Sequence, residues 1–216
     1  MISIEKNNLP VLVSGARTAF LESAGAYWEL MSYELGALAL KGLIERSGIA
    51  PNLVEQVVMG TVLHEINTTN VAREISLQAE LSPAIPAYTV AMAGLSPNIG
   101  IMNICNEIAL GRIGFGVAGG TENFSDVPIR LSQNVRRTMM KIRQTRSNKE
   151  KIKHLSKLRP RDLALDLPSS SDFTTGLTMG SACEAMADTF GVSRNDSDQF
   201  AVQSHQRALH AQSLGL

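Results

Sequence analysis

Cysteine is scarce in this sequence: Cys105 and Cys183 are the two among 216 residues. They form neither a metal-ligand spacing nor a disulfide framework, and the expectation is a reducing compartment. Charge of either sign is missing in the sum, because 20 basic and 20 acidic side chains cancel. Long apolar runs are missing too. The longest nearly uncharged stretch, Ala87 to Asn106, carries Ser96, Pro97 and three asparagines, and it falls short of the roughly 18 clean apolar residues of a membrane span. The start, Met1-Ile2-Ser3-Ile4-Glu5-Lys6, lacks the basic end and apolar core of a secretory signal, so the expected location is cytoplasmic. What is present is a 44% hydrophobic composition, enough for a real core and against wholesale disorder.

The zero net charge hides an asymmetry. Between Arg130 and Arg161 lie twelve of the 20 basic residues and one of the 20 acids, Glu150. A basic segment therefore sits on an acidic body and would attract phosphates within a Debye length of about 8 Å at physiological salt. It reads either as a solvated excursion or as a contact for an anionic coenzyme or a membrane surface. Nucleic acid is not expected, because no aromatic side chain is interleaved between Val135 and Leu163 for bases to stack on.

From Pro10 to Glu122 short β-branched runs alternate with longer helical ones. Pro10–Gly15, Gln56–Val62, Tyr88–Met92 and Phe115–Ala118 read as strands. Ser32–Arg46 reads as a helix with Leu35, Leu38, Leu40, Leu43 and Ile44 inward, stopped by Gly48 and Pro51. Asn70–Leu81 is a second helix, capped by Asn70 with Ile75, Leu77 and Leu81 near helical spacing, and Ser96–Leu110 a third. Strands alternating with long crossovers imply a largely parallel sheet with helices on its faces. After Glu122 the rhythm is lost in a Pro-, Ser- and charge-rich excursion, followed by helices over Met179–Phe190 and from Arg194 to about Ser213. The expected organisation is an α/β core over 1–123 and an inserted domain over 124–216.

The third helix carries Ile99, Ile101, Met102, Ile104, Cys105, Ile108, Ala109 and Leu110, which cover nearly its whole circumference at about 100° per residue. Such a helix is built to be covered on more than one side. Ser96 and Pro97 read as its hydroxyl cap and first-turn proline. Leu131 to Leu158, mixing Val135, Met139, Met140 and Ile142 with basic residues, could lie on a membrane or partner surface. Gly114-Phe115-Gly116-Val117-Ala118-Gly119 spells G-x-G-x-x-G, but inside a strand rather than between a strand and a helix, so a dinucleotide site is not inferred. Arg17 and Arg73 read as structural ion-pair residues and His205 as a packing residue.

Arg17-Thr18-Ala19-Phe20, Thr69-Asn70-Val71-Ala72-Arg73-Glu74, Pro86-Ala87-Tyr88-Thr89-Val90, Ala118-Gly119-Gly120-Thr121-Glu122-Asn123-Phe124-Ser125 and Asp126-Val127-Pro128-Ile129-Arg130 stand in an order that resembles the thiolase family. The likeness is to the thiolase-type β subunits of fatty-acid oxidation (trifunctional) complexes, and it continues through Met179-Gly180, Val192-Ser193-Arg194, Asp198-Gln199 and Ser204-His205. The resemblance implies the N-terminal half of the layered thiolase fold. It also implies acyl transfer from a 3-ketoacyl thioester to coenzyme A through an acyl-cysteine at the start of the third helix, where a thiolate is stabilised by the helix dipole.

The family's cysteine position falls on Gly94 in Thr89-Val90-Ala91-Met92-Ala93-Gly94-Leu95-Ser96. Cys105 lies about eleven residues further, roughly 16 Å along a helix, and Ser96 has no histidine in a family motif to act as its base. The second half of the family's fold, with its catalytic histidines and second cysteine, has no counterpart motif here. The resemblance therefore implies a thiolase relative that is inactive alone, a truncated or pseudoenzyme form. The rival expectation is a non-catalytic assembly or binding subunit pairing with an intact thiolase or a dehydrogenase–hydratase subunit, as a homo- or hetero-oligomer through its third strand and third helix. Coenzyme A or acyl-CoA, if bound, is expected at Met179, which aligns beside the pantetheine arm, and at the basic segment through Lys149, Lys151 and Lys153. No metal and no covalently bound cofactor is expected.

Overall fold

The structure, a computed structural model, describes residues 9–215. It comprises two compact units, Met1–Pro168 and Ser169–Leu216. The boundary expected at 123 marks a change of composition inside the first of them.

The first unit is built on a parallel sheet of β1 (Gln56–Gly60), β2 (Ala87–Val90) and β3 (Gly116–Gly120) in the order β2-β1-β3. Val58 stands opposite both Tyr88 and Ala118. Alternation along β1 divides the layers, because successive side chains point to opposite faces. Val57 and Met59 join Val117 in one core cluster with Leu40 of α1 (Ser32–Ser47) and with Val71, Ala72 and Ile75 of α2 (Val71–Gln78). Val58 faces the other way, and it and Ala118 are the side chains nearest Gly100 of α3 (Ser96–Ala109). Helices therefore cover both faces of the sheet.

Small residues set how closely α3 approaches. A Cβ on Gly60 would stand 2.6 Å from the Ser96 Cβ, one on Gly116 2.7 Å from the Ile104 Cδ1, and one on Gly120 2.6 Å from the Pro97 Cγ. All three glycines lie on the α3 face of their strands.

Helix ends follow local chemistry. Glu34 accepts the Met31 N–H at 2.7 Å at the start of α1, and Gly48 closes that helix at φ 66°, donating to the Ile44 carbonyl. Asn70 caps α2 as expected, its side chain accepting the Arg73 N–H at 3.2 Å.

Several expectations are corrected. Pro10–Gly15 forms no strand, since no described segment supplies it with a ladder; Leu12 is 91% exposed. Leu38 is 51% exposed because it lies half a turn from the Leu35–Leu40 stripe. Leu77 is exposed too, while Leu81, just beyond the α2 end, fills the core instead. Arg17 and Arg73 make no ion pair among the described residues. Arg73 donates to the carbonyls of Pro83 (2.8 Å) and Ile85 (3.3 Å), and Arg17 lies 5.0 Å from the Phe20 ring centre.

The basic segment folds as a closed excursion. β4 (Arg130–Leu131) pairs antiparallel with β5 (Leu165–Asp166) at its base, and α4 (Gln133–Gln144) and α5 (Asn148–Leu155) pack as a hairpin between them. Ser132 donates to the Asp162 carbonyl, and the Asp162 carboxylate accepts from Asn134 at 2.9 Å and from the Arg159 N–H at 2.8 Å. The hydrogen bond from Asn134, followed by that from Arg159, holds the Asp162 carboxyl below the usual range. The second unit carries α6 (Met179–Phe190) and α7 (Arg194–Ser213). Thr178 caps α6 and Ser193 caps α7, the latter in a reciprocal pair with Asp196.

Candidate functional site

All three strands of the sheet run parallel, so their carboxyl ends lie on one edge, the place where open α/β sheets gather ligand-facing residues. Three chain segments leave the sheet there: 61–65 after β1, 91–96 after β2 and 121–126 after β3.

The segment after β2 is a tight turn into α3. Ala93 has φ 44°, in the left-handed region that a side chain disfavours. Leu95 N–H donates to the Met92 carbonyl at 3.0 Å, and Ser96 N–H to that of Ala93 at 3.1 Å. Ser96 is not the cap the sequence led us to expect. It is the first residue of α3, with Leu95 at the cap position, and its hydroxyl turns back to the loop. There it accepts the Met92 N–H at 2.8 Å and donates to the Ala93 carbonyl at 2.7 Å. Gly94 stands between these ties, and a Cβ built on it meets nothing within 4 Å.

The segment after β3 fastens the others. Glu122 accepts the N–H groups of Val62 (2.8 Å) and Leu63 (3.3 Å) and the Thr61 hydroxyl (3.3 Å). Asn123 donates to the carbonyls of Tyr27 (3.1 Å) and Leu30 (2.5 Å), and Thr121 donates to that of Ser32 (2.5 Å). Glu65 sits beside this cluster. Partial burial, then the charges of Asp126 and Glu122, hold its carboxyl above the ordinary glutamate value. Glu122, Asn123 and Thr121 belong to a quoted motif, yet no role was read for them. The available signal was position: polar side chains directly after a strand end can reach the unpaired N–H and C=O groups of neighbouring loops.

The other singled-out residues lie elsewhere. Cys105 is half-buried on α3 and Cys183 is exposed on α6; both are free thiols. Lys149, Lys151 and Lys153 fall together on α5, and Met179 opens α6 in the second unit. Among the described residues, no cluster of three or more His, Cys, Asp or Glu side chains is placed to hold a metal ion. No described helix is long and apolar enough to cross a membrane.

α3 packs Ser96, Gly100 and Ile104 against the sheet. Its opposite side leaves Ile101 49% and Met102 57% exposed. The all-round apolar pattern is thus half covered in this chain.

The sequence is 41% identical over 206 residues to the mitochondrial trifunctional enzyme subunit beta of Homo sapiens, covering 95% of this chain and 44% of that protein. It is 37% identical over 205 residues to a 3-ketoacyl-CoA thiolase of Yersinia enterocolitica, covering 95% of this chain and 47% of the relative. The chain thus spans less than half the length of the curated relatives it matches. Among solved structures, the fold matches a Bacillus anthracis acetyl-CoA acetyltransferase with TM-score 0.72 at 23% identity, over 95% of this chain and 48% of the other. It also matches an Ascaris suum thiolase in complex with coenzyme A with TM-score 0.74 at 22% identity, over 94% and 48%. The family profile described as the thiolase N-terminal domain matches residues 10–216, and the chain belongs to the thiolase family.

Proposed function

We propose that this chain is a thiolase-fold acyl-CoA protein of fatty-acid β-oxidation type that does not itself carry out acyl transfer at position 94. The observation that carries this reading is Gly94. It occupies the turn between β2 and α3 where the family resemblance puts the nucleophilic thiol, and it has space for a side chain but none present. Cys105 lies within α3, nine residues beyond its first residue, about 14 Å along the axis at ~1.5 Å per residue. Ser96 has its hydroxyl engaged by Met92 and Ala93. A hydroxyl already engaged as both donor and acceptor is a poor nucleophile.

The names of the relatives supply the substrate class, 3-ketoacyl-CoA and coenzyme A. In this reading the cations of α5, Lys149, Lys151 and Lys153, attract the phosphates of coenzyme A. Separately, the family resemblance puts Met179, in the second unit, beside a pantetheine arm. The test is incubation of the purified chain with acetoacetyl-CoA, followed by intact-mass spectrometry and a coenzyme-A-dependent thiolysis assay. Neither an acetyl adduct nor turnover is expected; an adduct on any side chain overturns the reading. Equilibrium dialysis with coenzyme A at rising salt should show binding that weakens with salt and with charge reversal at the three lysines.

The exposed side of α3 favours a second role, that of a non-catalytic subunit. An apolar helix face open to water is a site for another protein surface, and a thiolase or dehydrogenase–hydratase subunit is the partner this reading names. Co-purification with such a subunit, lost on Ile101→Lys with Met102→Lys, supports assembly. The Met139, Met140 and Ile152 side chains among the cations of the α4–α5 hairpin suit contact with an anionic membrane surface. Sedimentation with anionic but not zwitterionic vesicles tests it.

A further inference from the structure

We propose that Ser96 is a positioning residue: its hydroxyl holds the Met92–Gly94 turn so that any side chain at position 94 is presented, preformed, to open space. The inference rests on the reading of position 94 given above and deepens it. Ala93 adopts φ 44° although it carries a Cβ, and a backbone in that region persists only where its surroundings over-determine it. Here the determinant is visible. The Ser96 side chain is buried and bridges the two residues that flank the strained torsion, accepting a hydrogen bond from the Met92 N–H and donating one to the Ala93 carbonyl.

Ser96 is in turn fixed from below. Gly60 and Gly120 admit Ser96 and Pro97 at distances that a Cβ would forbid, so the start of α3 rests directly on β1 and β3. The chain of support runs from the sheet through Ser96 to Ala93. The product is a residue-94 position whose Cβ direction is empty for 4 Å, at an ordinary backbone φ. The framework for a side chain is complete, and only the side chain is missing.

The experiment installs a reporter by Gly94→Cys in a Cys105→Ala, Cys183→Ala background, which leaves one thiol. Iodoacetamide alkylation is followed from about pH 6 to 10 by intact mass: the thiolate sulfur displaces iodide from the reagent's methylene, and the thiol proton passes to buffer. A held thiol at this turn should show a rate midpoint below the ordinary value of about 8.5. Ser96→Ala should raise the midpoint and slow alkylation at pH 7 by about fivefold, the weight of one typical hydrogen bond in an equilibrium. Adding Ala93→Gly to Ser96→Ala should recover much of that loss, because glycine takes the left-handed torsion without help. A serine that merely packs would not be rescued in this way.

A profile unchanged within twofold on Ser96→Ala, or no recovery with Ala93→Gly, overturns the proposal. Should Ser96→Ala fail to fold, hydrogen exchange in the native chain decides: the Met92 amide must exchange at least about tenfold more slowly than a free loop amide, and an unprotected amide refutes the role. An acyl adduct on the native chain would sink the functional reading and leave this geometry standing, so the two failures are distinguishable.

Discussion

The Glu122 carboxylate accepts the Val62 N–H at 2.8 Å, joining the end of β3 to the loop that leaves β1. The same carboxylate takes the Leu63 N–H and the Thr61 hydroxyl, so one side chain satisfies backbone donors that no ladder reaches. Hydrogen bonds to charged groups contribute more than neutral ones. Glu122→Ala should lower stability by about 2 kcal/mol, and Glu122→Gln, which keeps an acceptor, by about half of that. Urea denaturation gives the magnitudes. Faster exchange confined to the Val62 and Leu63 amides would locate the loss, and unchanged exchange there would show that the loop is held by something else.

Gly120 and Gly94 stand at the same edge of the sheet and should respond oppositely to a methyl group. A Cβ on Gly120 falls 2.6 Å from the Pro97 ring and 3.2 Å from the Gly60 carbonyl oxygen, neither of which can swing away. Overpacking of this kind typically costs 1–3 kcal/mol, and about 2 is expected for Gly120→Ala. Gly94→Ala meets open space at an ordinary φ and should be neutral or stabilising by up to about 1 kcal/mol, through a less flexible unfolded chain. Thermal melts of the two variants side by side check the contrast.

Much of the fold was legible in the sequence, for local reasons. Gly48 and Asn70 carry their roles in their own chemistry, a left-handed stop and a side-chain acceptor, and both act as expected. The three strands of the sheet were legible as apolar runs, within a residue or two of their ends. Pro10–Gly15 had the same pattern yet forms no strand, because a ladder needs a neighbour and no pattern within a segment names one. Ser96 was misplaced by one residue for a related cause. A hydroxyl before proline reads as a cap, but here it turns back to the loop, accepting the Met92 N–H and donating to the Ala93 carbonyl. Glu122 and Asn123 escaped because their partners lie about 60 and 90 residues away.

Asn70 does more than cap α2. Its Nδ2 donates to the Ala87 carbonyl at 2.8 Å and its Oδ1 accepts the Thr89 hydroxyl at 2.9 Å, while the same hydroxyl oxygen accepts the Ala72 N–H at 3.1 Å. The start of α2 is thereby tied to β2. Asn70→Ala removes the cap and strands the polar groups left behind, and a loss of about 2 kcal/mol is expected. Thr89→Val deletes part of the same network. The double variant should therefore cost less than the sum of the singles, which a denaturation cycle measures.

Glu65 gives the site a pH dependence whose sign follows from its surroundings. Partial burial and then the neighbouring charges of Asp126 and Glu122 raise its folded pKa above the unfolded value. Between those two values the folded protein holds the proton more tightly than the unfolded chain. Stability from this group is therefore present below the unfolded pKa and lost as pH rises through the folded one. Glu65→Gln removes the ionisation and keeps the shape. Relative to the parent, the variant should gain denaturant midpoint between pH 4 and pH 7, and a gain that is flat or reversed across that interval would mean that Glu65 ionises as freely in the fold as outside it.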